Sequence, residues 1–276
     1  ESDEYNVDPD GDGNPNKLRR LTLRHCTIAH GLGLTRDGVC IDQNAVSMTV
    51  EKEGVEIVLD ACVLGPLRSA AHAEFTMHSC IVSTGDYTAS AYEGLSPGEP
   101  GAGLRMTACT VIGTLYCMHM KLISNSIIDA VATEDGVPVH ADRRQDGCVR
   151  FTWLPPTSVV PRRHRCQPEL EIGSRLKKLE ARAAALGTVV SPARKQAEAA
   201  SVRGWLVPSF LSLRYGDYSF CRLRDSAPGQ LHRGADDESE MGAYHDVYAP
   251  QRAINLRIRL REYLRFGLVA APLFVT

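Results

Sequence analysis

Leu21-Thr-Leu-Arg-His-Cys26-Thr-Ile28 opens a phrase that returns through residues 21–127. It reads apolar, any, apolar, any, any, Cys or Asn, any, apolar. The phrase recurs at Val39–Val46, Ile57–Leu64, Phe75–Val82, Leu104–Val111 and Met120–Ile127, so Cys or Asn stands at 26, 44, 62, 80, 109 and 125. The first three steps are 18 residues each, followed by steps of 29 and 16. Apolar residues alternate within each phrase, the period of a strand with one buried face. Working outward, Gly31-Leu-Gly33, Asp37-Gly38 and Gly65-Pro66 supply turns between phrases, and the Gly- and Pro-rich run 93–103 is a loop that lengthens one step. A second loop falls at 132–147.

A fixed period near 20 is the sequence mark of a solenoid. Strands that keep one direction and recur every 18 residues cannot form hairpins. The simplest solution is a mainly β fold, a parallel β-helix with equivalent residues stacked about 4.8 Å apart. The stack predicts a Cys ladder, with Asn44 between Cys26 and Cys62. It also predicts one exposed column from the residue after the second apolar position: Arg24, Asp42, Asp60 and His78. Two carboxylates about 5 Å apart between a cation and a His can split their pKa values and serve as acid and base. Asp42, Asp60 and His78 are therefore candidate catalytic residues, with Arg24, Arg105 and Lys121 as candidate binding cations. An exposed ladder of mixed charges that limits repulsion is the plainer explanation of the same column.

The chain resembles the right-handed parallel β-helix (pectate-lyase-like) architecture over about residues 17–155, on the strength of these phrases. That resemblance implies either an enzyme acting on acidic polysaccharide or a non-catalytic surface or tail protein; no lyase or hydrolase signature is legible. A second resemblance rests on Gly147-Cys-Val-Arg-Phe151, Pro161–Pro168, Gly234–His245 and the stretch from Pro250 to Gly267. These look like a group of uncharacterised bacterial proteins associated with phage-tail-like or contractile-injection gene clusters. The implication is a structural or attachment part of a larger assembly, with other protein subunits or a polysaccharide as partner.

Composition narrows the classes. A formal net charge of -2 argues against a nucleic-acid binder. No apolar run of membrane-spanning length exists, and no signal peptide is legible. Nine Cys, an odd number falling on a strand ladder, read as reduced core thiols, which favours a cytoplasmic origin. The chain starts at Glu1 and reads as a piece of something longer, which leaves export open.

Metal signals are weak, and no cofactor is expected. Asp8, Asp10, Asp12 and Gly13 mimic the start of a calcium loop, but Arg19 stands where the bidentate Glu is needed. Cys117, His119, His164 and Cys166 could make a zinc set only if the fold joined them. Asp236, Asp237, Glu238 and Glu240 could hold a cation, although a solvated loop explains them as well.

The expected organisation is an acidic segment at 1–16, the β-helix at 17–166, a helical insertion or linker at 167–204, and a strand-plus-helix cap at 205–276. Glu169–Leu186 is rich in Ala, Glu, Lys and Arg and predicts a helix stopped by Gly187. A second helix follows Pro250, with Ile254, Ile258, Tyr263 and Leu264 among five arginines.

Overall fold

The computed structural model describes residues 17–270 apart from 34, 37–40, 43–44 and 133–135. Strands occupy the apolar alternations, and every strand pair in both sheets is parallel. One run of neighbours is Arg20–Arg24, Glu56–Asp60, Glu74–His78, Gly103–Thr107 and the long strand Thr114–Ser124, which continues to Cys148–Arg150 and Arg162–His164. The same long strand pairs through its first half with Ser90–Glu93, which leads on to Leu67–Ser69 and Met48–Val50. It also pairs with Val139–Arg143. Together these make an 11-stranded sheet that curls as a half-barrel. The second sheet has 5 strands, in the order Ile127–Asp129, Thr110–Ile112, Ile81–Ser83, Val63–Leu64, Thr27–Ile28.

Four α-helices complete the fold: α1 (Glu169–Ala185), α2 (Pro192–Trp205), α3 (Gly229–His232) and α4 (Ala249–Tyr263). Two apolar cores result. The first, enclosed by the sheets, contains Ile57, Leu59, Phe75, Met77, Leu104, Met106 and Met120. The second lies on the other face of the five-stranded sheet. There Ile81, Ile112, Ile127 and Trp153 meet Ile172 of α1, Val202 of α2, and Leu206, Phe210, Leu231 and Met241. Trp153 Nε1 donates to the Leu206 carbonyl at 2.9 Å, tying this covering layer to the sheet.

This topology corrects the expectation of a mainly β, right-handed parallel β-helix. Two parallel sheets, one curled and one covered by helix-bearing chain, are an arrangement of the α/β kind. Nor does each 18-residue phrase build one rung. Leu21 pairs directly with Ile57 and Arg24 with Asp60, which leaves no place between them for the phrase at 39–46. The physical reason lies in that phrase's flanks. Backbone bonds from Ile41 to the Gly33 carbonyl and from Asp42 to the Gly31 carbonyl hold these two residues outside the sheets, and Ile41 is 65% exposed. Asn44 lies outside the described residues. The second error concerns sheet coverage. Ile81-Val82, Val111-Ile112 and Ile127-Ile128 are adjacent apolar pairs, the mark of parallel strands buried on both faces. Finally, none of the residues of α4 is buried.

Candidate functional site

Each of the five passages from the larger sheet to the smaller one turns on a left-handed residue, and so do the ends of Cys148–Arg150 and Arg162–His164. His25, Ala61, Ser79, Ala108, Asn125, Phe151 and Arg165 all have φ between 46° and 54°. The next residue is Cys26, Cys62, Cys80, Cys109, Ser126, Thr152 or Cys166. Its thiol or hydroxyl donates to the carbonyl two residues back, at 3.1 Å for Cys80 and 2.7 Å for Ser126 and Thr152. A short side chain with a donor closes the corner, which explains why Cys recurs in the phrase. A register shift between Leu104 and Arg105 makes Asn125 itself the left-handed residue and brings Ser124, not Ile123, opposite Thr107.

The corners place Arg24, Asp60 and His78 in consecutive rows. Arg24 Nε lies 3.6 Å from Asp60 Oδ2, and His78 Nδ1 lies 3.2 Å from Asp60 Oδ1. The side chains of His78 and Asp60 are 48% and 35% exposed, so solvent screens the pair. Asp42 is not in this column; it is exposed, in no strand. The proposed Asp42/Asp60 carboxylate pair is therefore corrected: the rungs that hold Arg24 and Asp60 are adjacent, and Asp42 belongs to the loop beside Gly31. Arg105 is exposed on the same face two residues before Thr107, and Lys121 forms an ion pair with Glu74 at the bulge in the long strand. Neither touches His78.

What the sequence reading missed is the segment 234–247, which lands on this column. Thr110 Oγ1 accepts from the Ala243 amide at 2.9 Å, and the Asn125 carbonyl accepts from Gly242 N at 2.8 Å. Gly242 adopts φ 96°, and a Cβ there would meet Thr110 Oγ1 at 2.6 Å. The landing brings Asp246 to His78, whose Nε2 lies 3.6 Å from Asp246 Oδ2, while Ser79 Oγ donates to that oxygen at 2.6 Å. His78 thus stands between two carboxylates, Asp60 and Asp246. The usable signal was His245-Asp246, a His and a carboxylate closely following the acidic run that the sequence reading had singled out.

Within that run the four acidic residues part company. Glu240 is buried and pairs with His232 at 3.5 Å, an interaction that raises the His232 pKa despite burial. Partial burial pushes the Asp237 carboxyl up, but the Ser239 hydroxyl and amide, with His245, outweigh it and hold the carboxyl below the usual range. Asp236, Asp237 and His245 form a group with ligand atoms mutually within 4.8 Å, the one such metal-capable group among the described residues. Cys117 and Cys166 are instead buried in strand and corner, so the four-residue zinc set is not assembled. The calcium-like run at 8–13 lies outside the described residues.

Two cavities accompany the site without joining it. One of about 290 Å³ is lined by Thr27, Ile28, Gly33 and Tyr215, and another of about 720 Å³ by Ser212, Asp217, Arg224 and Asp225. Among the described residues, no helix is long and apolar enough to cross a membrane.

Comparison with protein families, with curated proteins and with solved structures finds no match for this chain. The two resemblances drawn from the sequence, to pectate-lyase-like β-helix proteins and to the uncharacterised bacterial group, are therefore not sustained: no relative supports them, and the sheet arrangement speaks against the first.

Proposed function

We propose that this protein is a non-enzymatic structural or binding module of a larger assembly, docked to another protein subunit through α4. The carrying observation is that α4 has 15 residues and none is buried. Ile254, Leu256, Ile258 and Tyr263 are 42%, 46%, 50% and 81% exposed. Covering a side chain of this kind is worth roughly 1.5–3 kcal/mol, so a partner surface gains several such terms. A lone helix of this length is marginal in water, which also favours a bound state. Arg252, Arg257, Arg259, Arg261 and Arg265 surround the apolar residues, with Glu262 the single acid between them. The partner surface is accordingly apolar with an acidic rim.

The test is cross-linking of the full chain in its native cells, followed by size separation, for wild type beside Leu256→Asp/Ile258→Asp. Wild type is expected in a species larger than the monomer, with cross-links from α4 to a second protein, and the variant as monomer. Monomeric wild type with no cross-links from α4 sinks the reading.

A second reading, a hydrolase or lyase acting on polysaccharide, is favoured by one geometry: His78 held between Asp60 and Asp246 beside Arg24 on an exposed face. It requires Asp60→Asn to abolish release of reducing ends from a glycan that wild type cleaves.

A further inference from the structure

The cysteine corners stack one on the next. Cys26, Cys62, Cys80 and Cys109 stand in consecutive rows, because Arg24, Asp60, His78 and Thr107 pair in that order before them, and Thr27, Val63, Ile81 and Thr110 after them. Cys26 and Cys62 leave matching backbones, since His25 and Ala61 before them have φ of 52° and 51°. Each thiol donates to the carbonyl two residues back, at 3.2 Å to Arg24 and 3.3 Å to Asp60. The Cys62 sulfur also lies 3.5 Å from the Leu23 carbonyl oxygen, on the stretch of chain that carries Cys26. The His25 amide donates to the Asp60 carbonyl at 2.9 Å and the Val63 amide to the Cys26 carbonyl at 3.0 Å, which holds the two corners together. Rows of a parallel sheet lie about 4.8 Å apart. Residues joined by a disulfide usually have Cα atoms about 4.4–6.8 Å apart, so neighbouring rows are within reach.

Access sets the first pair apart. Cys26 is half-buried and opens to solvent, whereas Cys62, Cys80 and Cys109 are buried. Cys80 and Cys109 share the same row relation, but neither offers a sulfur that a solute can reach. Cys148 is half-buried as well, yet the residue opposite it in register is Arg162. Cys26 therefore joins a reachable sulfur to a second sulfur in the next row. Burial raises the Cys62 thiol, so that group stays protonated and reacts second.

We propose that Cys26 and Cys62 are a thiol–disulfide exchange site, which a low-molecular-weight disulfide such as oxidised glutathione converts to an intramolecular disulfide. In the first step the Cys26 thiolate attacks one sulfur of the small disulfide. Its S–S bond breaks, a mixed disulfide forms on Cys26, and the departing thiolate takes up a proton. In the second step the Cys62 thiolate attacks the Cys26 sulfur, and the remaining small thiolate leaves and is protonated in turn. Two protein thiols are oxidised as one small disulfide is reduced to two thiols. The product fastens the edge of both sheets. Arg20–Arg24 and Thr27–Ile28, which flank Cys26, are the outermost strands of their runs, and Cys62 lies between their neighbours Glu56–Asp60 and Val63–Leu64.

The experiment incubates the full reduced chain with oxidised glutathione, blocks the remaining thiols with an alkylating agent, and maps peptides by mass spectrometry. Wild type is expected to yield a Cys26–Cys62 linked peptide, while Cys148 stops at its glutathione adduct. Cys62→Ser is the companion variant. Serine fits such a corner, since Ser126 occupies the equivalent place and donates to the Ser124 carbonyl at 2.7 Å. In Cys62→Ser the Cys26–glutathione adduct is expected to accumulate at least tenfold over wild type. Oxidised wild type is expected to melt at least about 4 °C above the reduced protein, a gain absent from Cys62→Ser. The proposal is overturned if wild-type Cys26 stays free, if its glutathione adduct accumulates equally in wild type and folded Cys62→Ser, or if Cys26 is found linked to Cys40 rather than to Cys62.

Discussion

Asp129 ends the strand Ile127–Asp129 and is 7% exposed. Burial drives its carboxyl up to about 7, from an ordinary 3.8. Between those values the native chain keeps the proton and the unfolded chain releases it. Stability is therefore fullest below about pH 4, falls as pH rises through this window, and levels off above pH 7. Asp129→Asn removes the ionisation without changing the shape. Thermal unfolding is expected to be equal for the two proteins at pH 4, with the variant more stable at pH 8 by on the order of a few kcal/mol. Equal unfolding at both pH values counts against the buried carboxyl as the cause.

Among the elements, the meeting of Thr114–Ser124 with Cys148–Arg150 depends on one glycine. Gly147 has φ 96°, and a Cβ there would lie 1.8 Å from the Met120 carbonyl oxygen. Gly147→Ala is expected to lower unfolding free energy by at least about 2 kcal/mol in a urea titration. Gly187 follows α1 at φ 66° with nothing within 4 Å of such a Cβ. Gly187→Ala should lose only about 1 kcal/mol, the left-handed penalty alone. Similar losses at both sites would mean that the strands have moved apart at Gly147. What the sequence makes legible at this scale is pairing between neighbouring phrases. Ile57 with Phe75 and Asp60 with His78 follow from the 18-residue step. The first step misleads because Val39–Val46 satisfies the pattern while the amides of Ile41 and Asp42 are taken by Gly33 and Gly31. Pattern alone carries no information about which hydrogen bonds compete. The landing of 234–247 was hidden for another reason: Ser79 meets Asp246 across 167 positions, and no periodicity encodes such a contact. The helical stretch from Glu169 was easier to read because its signal, composition ending at Gly187, is local.

At the scale of the whole molecule, the thiols of the described residues divide by depth. Cys62, Cys80, Cys109, Cys117, Cys166 and Cys221 are buried, whereas Cys26 and Cys148 are half-buried. Burial pushes Cys166 up to about 11 and raises Cys109, Cys117 and Cys221 as well. Since the thiolate is the reactive form, alkylation of the native protein at pH 8 is expected to label Cys26 and Cys148 before the six buried thiols. The six buried thiols should follow only on unfolding, as peptide mapping would show. Early label on Cys109 or Cys117 would mean that the sheets open together on the time scale of the reaction. The left-handed corners have a further consequence at this scale. Ala61, Ser79, Ala108 and Asn125 hold their rows in register although the spans between them differ in length. Chain added between two corners leaves the rows where they were. Gly98, exposed at φ 80° with nothing within 4 Å of a Cβ, sits at the tip of one such span. The protein is in that sense a chassis with interchangeable fittings, and a foreign epitope spliced in beside Gly98 would be carried on the outside of an undisturbed frame.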